Sequence, residues 1–226
     1  MARSRSSHTW LETATAMRIG IAVVVAFAGL MLSPTTAWAV DATDRTLSAE
    51  LLIMQADLVR LRNAALPPRH REGLTQRLQG TLGVVPWMLR RAGDTAGAQA
   101  LRPWQDRALE NGDDRARLSA LLQNLSARHP LNVRAFEDHA DTPAIRREAR
   151  VVHQTYCAGC HDGAGAGDPD EALPARDLYV LARTESAVVF LARLVNGVKG
   201  DASLRFTNPL AERQIAALWR LYRRAK

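Results

Sequence analysis

Apolar residues recur at helical spacing along most of this chain, and no stretch of useful length alternates apolar and polar as a half-buried strand does. Leu47, Leu51, Met54, Leu58 and Leu61 fall four and three apart, which predicts a helix with one apolar seam that stops before Pro67-Pro68. A second helix is expected from about Arg69 through the Leu74, Leu78, Leu82 row, loosened by Gly80 and Gly83 and continuing or restarting around Pro86-Trp87-Met88. A third carries Ala98, Leu101, Trp104 and Ala108 and ends at Asn111-Gly112, where glycine can take the left-handed conformation of a helix end. The fourth starts at Asp113-Asp114, whose carboxylates suit a helix N-terminus, presents Leu118, Leu121, Leu122 and Leu125, and stops ahead of Pro130. Four amphipathic helices of this kind can bury one another in an antiparallel bundle. Met54, Met88, Trp87 and Trp104 are expected to pack inside it.

Residues 128–142 lose this periodicity, mix charges with prolines and histidines, and read as a linker. From Pro143 the pattern tightens: a helix over Ala144–Tyr156, a loop rich in glycine, and two further helices, the last with Ile215, Leu218, Trp219 and Tyr222 on one stripe. The expected fold class is all-α, with an N-terminal helical bundle over 40–127, a linker over 128–142 and a second helical domain over 143–226. Residues 1–39 stand apart. Arg3, Arg5 and Arg18 precede an apolar run from Ile19 to Leu32, and Ala37-Trp38-Ala39 has the small-x-small pattern of a cleavage site, so a signal peptide removed after Ala39 is expected. The rival reading, an uncleaved anchor, meets a run of 14 residues, short of the roughly 20 that span a bilayer. Cleavage leaves no stable membrane span.

One short stretch carries the chemistry. Cys157-Ala158-Gly159-Cys160-His161 has the C-x-x-C-H spacing of a c-type haem attachment site. Two thiols three positions apart on a helical turn can both reach the vinyl edges of one macrocycle, and the histidine that follows falls where its imidazole can bind the iron. Two other readings exist for the cysteines. A thioredoxin-like redox pair calls for a neighbouring βαβ pattern, which is missing, and half a zinc site calls for a second ligand pair. These are the chain's only two cysteines, so no structural disulfide competes for them. Export agrees with a covalently attached haem, and the expected location is the periplasm.

The surroundings of the motif carry a resemblance. Residues 143–226, 84 of the 226, resemble a class I cytochrome c domain. Arg150-Val151-Val152 through Tyr156 is similar to that family's N-terminal helix, with Tyr156 as its aromatic. His161-Asp162-Gly163-Ala164-Gly165 resembles the turn after the ligand, and Pro174 sits where the family often has a proline near the proximal histidine. Arg183-Thr184-Glu185-Ser186-Ala187 opens a helix through Val195, Asn196-Gly197-Val198-Lys199-Gly200 is similar to the segment that ends it, and Leu210 through Trp219 resembles the C-terminal helix that crosses the first. The resemblance implies one covalently attached haem c, tethered by Cys157 and Cys160 with His161 as axial iron ligand, in a protein that carries single electrons.

One departure matters. The family usually supplies a methionine from the loop before the last helix as sixth ligand, and here that place falls near Ser203 or Leu204; the methionines are Met1, Met17, Met31, Met54 and Met88, all upstream of the motif. An open or water-occupied site needs no further assumption. Lys199 and Asn208 from the same loop, His70, Met54 or Met88 from the helical half, and His129 or His139 from the linker are the other candidates. Losing the thioether lowers the expected reduction potential. An open face suggests an alternative function, a haem-based sensor or binding protein for a diatomic gas. A peroxidase would need a distal acid–base residue, and none is identifiable. A cytochrome c prime bundle fails on order, since 65 residues follow His161.

Charge changes the picture least. The whole chain has 30 Lys and Arg against 23 Asp and Glu. Removing residues 1–39 takes away three arginines and one glutamate, leaving a formal +5, which two haem propionates would lower toward +3. No basic run with interleaved aromatics argues for nucleic acid. The balance supports a redox protein partner with an acidic docking surface.

Overall fold

The first long helix has apolar residues on two faces, and the two faces enter different cores. The computed structural model describes residues 36–107, 109, 111–163, 170–197 and 208–224, with side chains from Asp44 onward. Helix α1 (Thr36–Leu61) sends the seam Leu47, Leu51, Met54, Leu58 and Leu61 into a bundle core. From its opposite face Ala49 and Ile53 enter a second core built by the C-terminal half.

The bundle core is completed by α2 (Pro68–Arg91), α3 (Thr95–Leu101) and α4 (Gly112–Arg128), which add Leu74, Leu78, Leu82, Leu89, Leu101, Leu118, Leu122 and Leu125. α2 neither breaks nor restarts at Pro86. A proline there cannot donate to the Leu82 carbonyl one turn back, and the Gln105 side-chain amide donates to that carbonyl instead, at 3.2 Å. The third helix is shorter than expected. It ends at Leu101, and a 3-10 turn over Arg102–Trp104, with Pro103 inside it, takes the chain away. Asn111-Gly112 consequently starts a helix and does not end one: the Asn111 Oδ1 accepts the Asp114 N–H at 2.6 Å, capping α4. Met54, Met88 and Trp104 are buried as packing residues, but Trp87 is 49% exposed, with the Arg91 guanidinium over its ring at 5.3 Å.

The second core belongs to α5 (Val133–Glu137), α6 (Pro143–Tyr156), α7 (Ala158–His161), α8 (Leu178–Thr184), α9 (Ala187–Gly197) and α10 (Glu212–Arg224). α6 and α10 form its most extensive helix pair. Ala149 and Val152 come from α6, and Ile215, Ala216, Leu218, Trp219 and Tyr222 from α10. The indole N–H of Trp219 donates to the Ala187 carbonyl at 3.1 Å. Within 128–142, α5 is capped by Asn132 and buries Phe136, while Arg220 donates to the carbonyls of Phe136, Glu137 and His139. Short polar segments become ordered when their carbonyls find a donor.

Every regular element among the described residues is helical. Val40–Lys226 forms one compact unit that holds both cores. Among the described residues no helix is long and apolar enough to cross a membrane. The expected signal-peptide run Ile19–Leu32 lies outside the described residues.

Candidate functional site

The motif is set at the end of α6 by ordinary helix chemistry. Thr142 caps that helix with its hydroxyl on the Ile145 N–H, and the Cys157 N–H closes it on the His153 carbonyl at 2.8 Å. A single tight turn follows. The N–H groups of Cys160 and His161 both donate to the Cys157 carbonyl, at 3.2 and 3.0 Å, which gathers the three side chains on one side. Gly163 then takes φ +68°, a left-handed conformation that side chains disfavour, and redirects the chain. Cys157, Cys160 and His161 all line one cavity of about 650 Å³, whose apolar walls include Ile53, Leu178, Leu181, Phe190, Leu194 and Leu218. That size falls within the roughly 300–1,000 Å³ of sites that enclose small ligands.

The imidazole of His161 is held. Its Nδ1 lies 2.6 Å from the Arg176 carbonyl oxygen, and since a carbonyl only accepts, Nδ1 carries the proton. Nε2 is thereby left with its lone pair, the tautomer a metal requires, with the orientation fixed by a backbone atom. Pro174, two residues earlier, lines the cavity.

Cys157 is buried and Cys160 exposed. Burial, aided by the nearby Asp162 charge, pushes the Cys157 thiol above its ordinary range, although a hydrogen bond with Tyr222 acts the other way. Thiol–disulfide chemistry depends on the opposite displacement. Tyr222 also hydrogen-bonds the Nδ1 of His153 at 2.8 Å, and the Nε2 of His153 sits 3.1 Å from Asp162. Burial and the Cys157 hydrogen bond push the Tyr222 phenol well upward, so it stays protonated. Tyr222 meets Tyr179 and Phe190 edge-on, with ring centroids 4.9 and 5.7 Å apart, which fixes the aromatic floor beneath Cys157.

One wall of the cavity is basic. Arg60 and Arg77 come from α1 and α2, Arg176 from the loop before α8, and Arg193 from α9. Behind them Asp57, 1% exposed, pairs with both Arg77 and Arg193, and Glu185 pairs with Arg193 at 2.7 Å and Arg176 at 3.6 Å. Burial and then the neighbouring Arg176 charge bring Arg60 down to about 10. Arg176 is lowered by burial and by Arg193, despite the raising effect of Glu185. Burial acts on Arg193 too, but its bonds to Glu185 and Asp57 outweigh that and raise it.

The remaining expected residues scatter. Met54 and Met88 are packed among the bundle leucines and do not line the cavity. His129 and His139 sit against Asp94 and Glu212 at 3.0 and 3.1 Å. Asn208 donates to the carbonyls of Leu194 and Val195 and accepts the Leu210 N–H, so its amide closes the end of α9. Lys199 lies outside the described residues. Only His70, among the described candidates for a sixth ligand, is brought to the cavity, where it is 7% exposed. The sequence reading missed the Arg176 carbonyl and the four arginines. A signal for the latter existed: Asp57 lies within the apolar seam, between Met54 and Leu61, and a carboxylate buried there requires cations beside it.

Among the described residues, no group of three or more His, Cys, Asp or Glu is arranged to hold a metal ion on its own. Comparison with family models, with curated proteins and with solved structures finds no match to this chain.

Proposed function

We propose that this chain is a periplasmic monohaem c-type cytochrome that carries single electrons between redox partners and has an atypical or absent sixth iron ligand. The observation that carries the reading is His161: its Nδ1–H is engaged by the Arg176 carbonyl, which leaves the other nitrogen free, and the residue lines a cavity that Cys157 and Cys160 also line. The residues present fit haem c. Thiols from Cys157 and Cys160 would make the two thioethers, and the His161 Nε2 would hold the iron from one side. Haem bound here supplies a one-electron couple between ferric and ferrous iron.

The chain's own atoms set how that couple behaves. The Arg176 carbonyl orients the imidazole. Ile53, Phe190, Leu194 and Leu218 give the site apolar walls, which would tune the potential through the local dielectric. No methionine follows the motif. Without a methionine as sixth ligand, the potential would sit below that of a methionine-ligated class I cytochrome c. Net positive charge favours a partner with an acidic docking surface.

Intact mass spectrometry of the exported protein tests the reading. The expected species starts at Val40 and carries one haem on the peptide that spans Cys157 and Cys160. A chain with that peptide unmodified would overturn the assignment, and one that still begins at Met1 would overturn the route of export.

A further inference from the structure

The guanidinium groups on the basic wall outnumber the carboxylates that face them. Asp57 and Glu185 are shared among Arg77, Arg176 and Arg193. Arg60 joins none of these ion pairs, and the Nε–H of Arg77 is buried with no hydrogen-bond partner among the described residues. Glu50, His70 and Tyr156 are the other ionisable side chains on the lining besides the motif, and Glu50 adds one further negative charge. The wall thus sets four arginines against three carboxylates. A buried donor without an acceptor costs free energy unless something fills the place. An arginine fork matches a carboxylate in shape as well as charge.

Resting on the haem reading above, we propose that Arg60 and Arg77 of the N-terminal helices join Arg176 and Arg193 to receive the two propionate carboxylates of the macrocycle. Residues 40–127 are then part of the haem site and not an accessory to it. Two of the four arginines come from outside the region that resembles a cytochrome c domain, which gives the helical half a task that its own sequence does not announce. The physical consequence is a field on the iron. Taking away a cation beside a propionate leaves a negative charge less compensated, which favours the ferric form.

The test uses full-length, matured protein with Arg60→Gln and Arg77→Gln made singly, Arg60→Lys as the charge-conserving variant, and Arg102→Gln as a control that removes an exposed arginine outside the cavity. Haem content is measured first by mass. If the parent carries no haem, the proposed function falls and takes this inference with it. With haem present, Arg60→Gln should raise the oxidised-to-reduced ratio at fixed ambient potential about threefold or more, about 28 mV at 59 mV per tenfold for one electron. Arg60→Lys should restore most of it, and Arg102→Gln should leave it unmoved. Should Arg77→Gln fail to fold because Asp57 loses a partner, Arg60→Gln decides alone. Haem present with the same potential in Arg60→Gln and Arg102→Gln would overturn the propionate assignment and leave the cytochrome reading standing. Inorganic phosphate titrated into the parent should not shift the potential. A saturable shift would assign the arginines to a free anion instead.

Discussion

At Gly73 the helical half and the motif half come too close for a side chain. A Cβ placed on it would stand 2.0 Å from the Ala172 carbonyl oxygen and 2.5 Å from its carbon, both backbone atoms that cannot swing aside. Gly73 shares one face of α2 with His70 and Arg77, so the close approach is what brings those two side chains to the cavity. Alanine is worth roughly 1 kcal/mol more than glycine in an open helix, and at Gly80, with nothing near its Cβ, Gly80→Ala should raise stability by about 0.5–1 kcal/mol. Gly73→Ala should lower it, by about 1–3 kcal/mol, because the overlap exceeds the propensity gain. Urea unfolding of the two variants checks the pair, and stabilisation by both would mean that no such approach exists. Gly80 and Gly83 drew notice because they interrupt an apolar row, whereas the constraint on Gly73 comes from a backbone 99 positions away.

At the scale of the element, what could be read from sequence was what is local. The seam of α1, the row in α2 and the stripe of α10 follow from spacing, and the motif follows from chemistry that needs its residues adjacent. What could not be read depends on distant partners. Whether Pro86 ends a helix rests on Gln105, and whether Asn111 ends one helix or starts another rests on the Asp114 amide and on Pro103. The His161 tautomer rests on a carbonyl 15 residues on. The crossing of α6 and α10 offers the sharpest energetic test. Trp219 is 3% exposed, hydrogen-bonds the Ala187 carbonyl, and carries Arg223 over its ring at 4.9 Å. Trp219→Ala should cost roughly 3–5 kcal/mol through the cavity it opens. Chemical denaturation of the full chain reads this directly, and an unchanged midpoint would remove Trp219 from the core.

For the molecule as a whole, the question is whether the bundle and the motif half unfold together. α1 belongs to both cores, so neither can lose it and keep its packing. Polar ties reinforce the sharing. Arg45 bonds Glu212 at 2.6 Å, the Asn196 amide donates to the Thr46 carbonyl at 3.3 Å, and Arg193 of α9 reaches the buried Asp57 of α1 at 3.3 Å. Asp57 is the costliest of these to disturb. Removing one member of a buried ion pair leaves the others uncompensated, at about 3–5 kcal/mol, and Asp57 serves two arginines from two different helices. Calorimetry of the protein starting at Val40 should accordingly give one transition, with van't Hoff and calorimetric enthalpies equal. Asp57→Ala should move that transition down as a single peak, since the carboxylate it removes holds elements of both halves. Two resolved peaks in the parent, or a shift confined to one of them in Asp57→Ala, would mean that the cores are energetically separate and that α1 links them without coupling them.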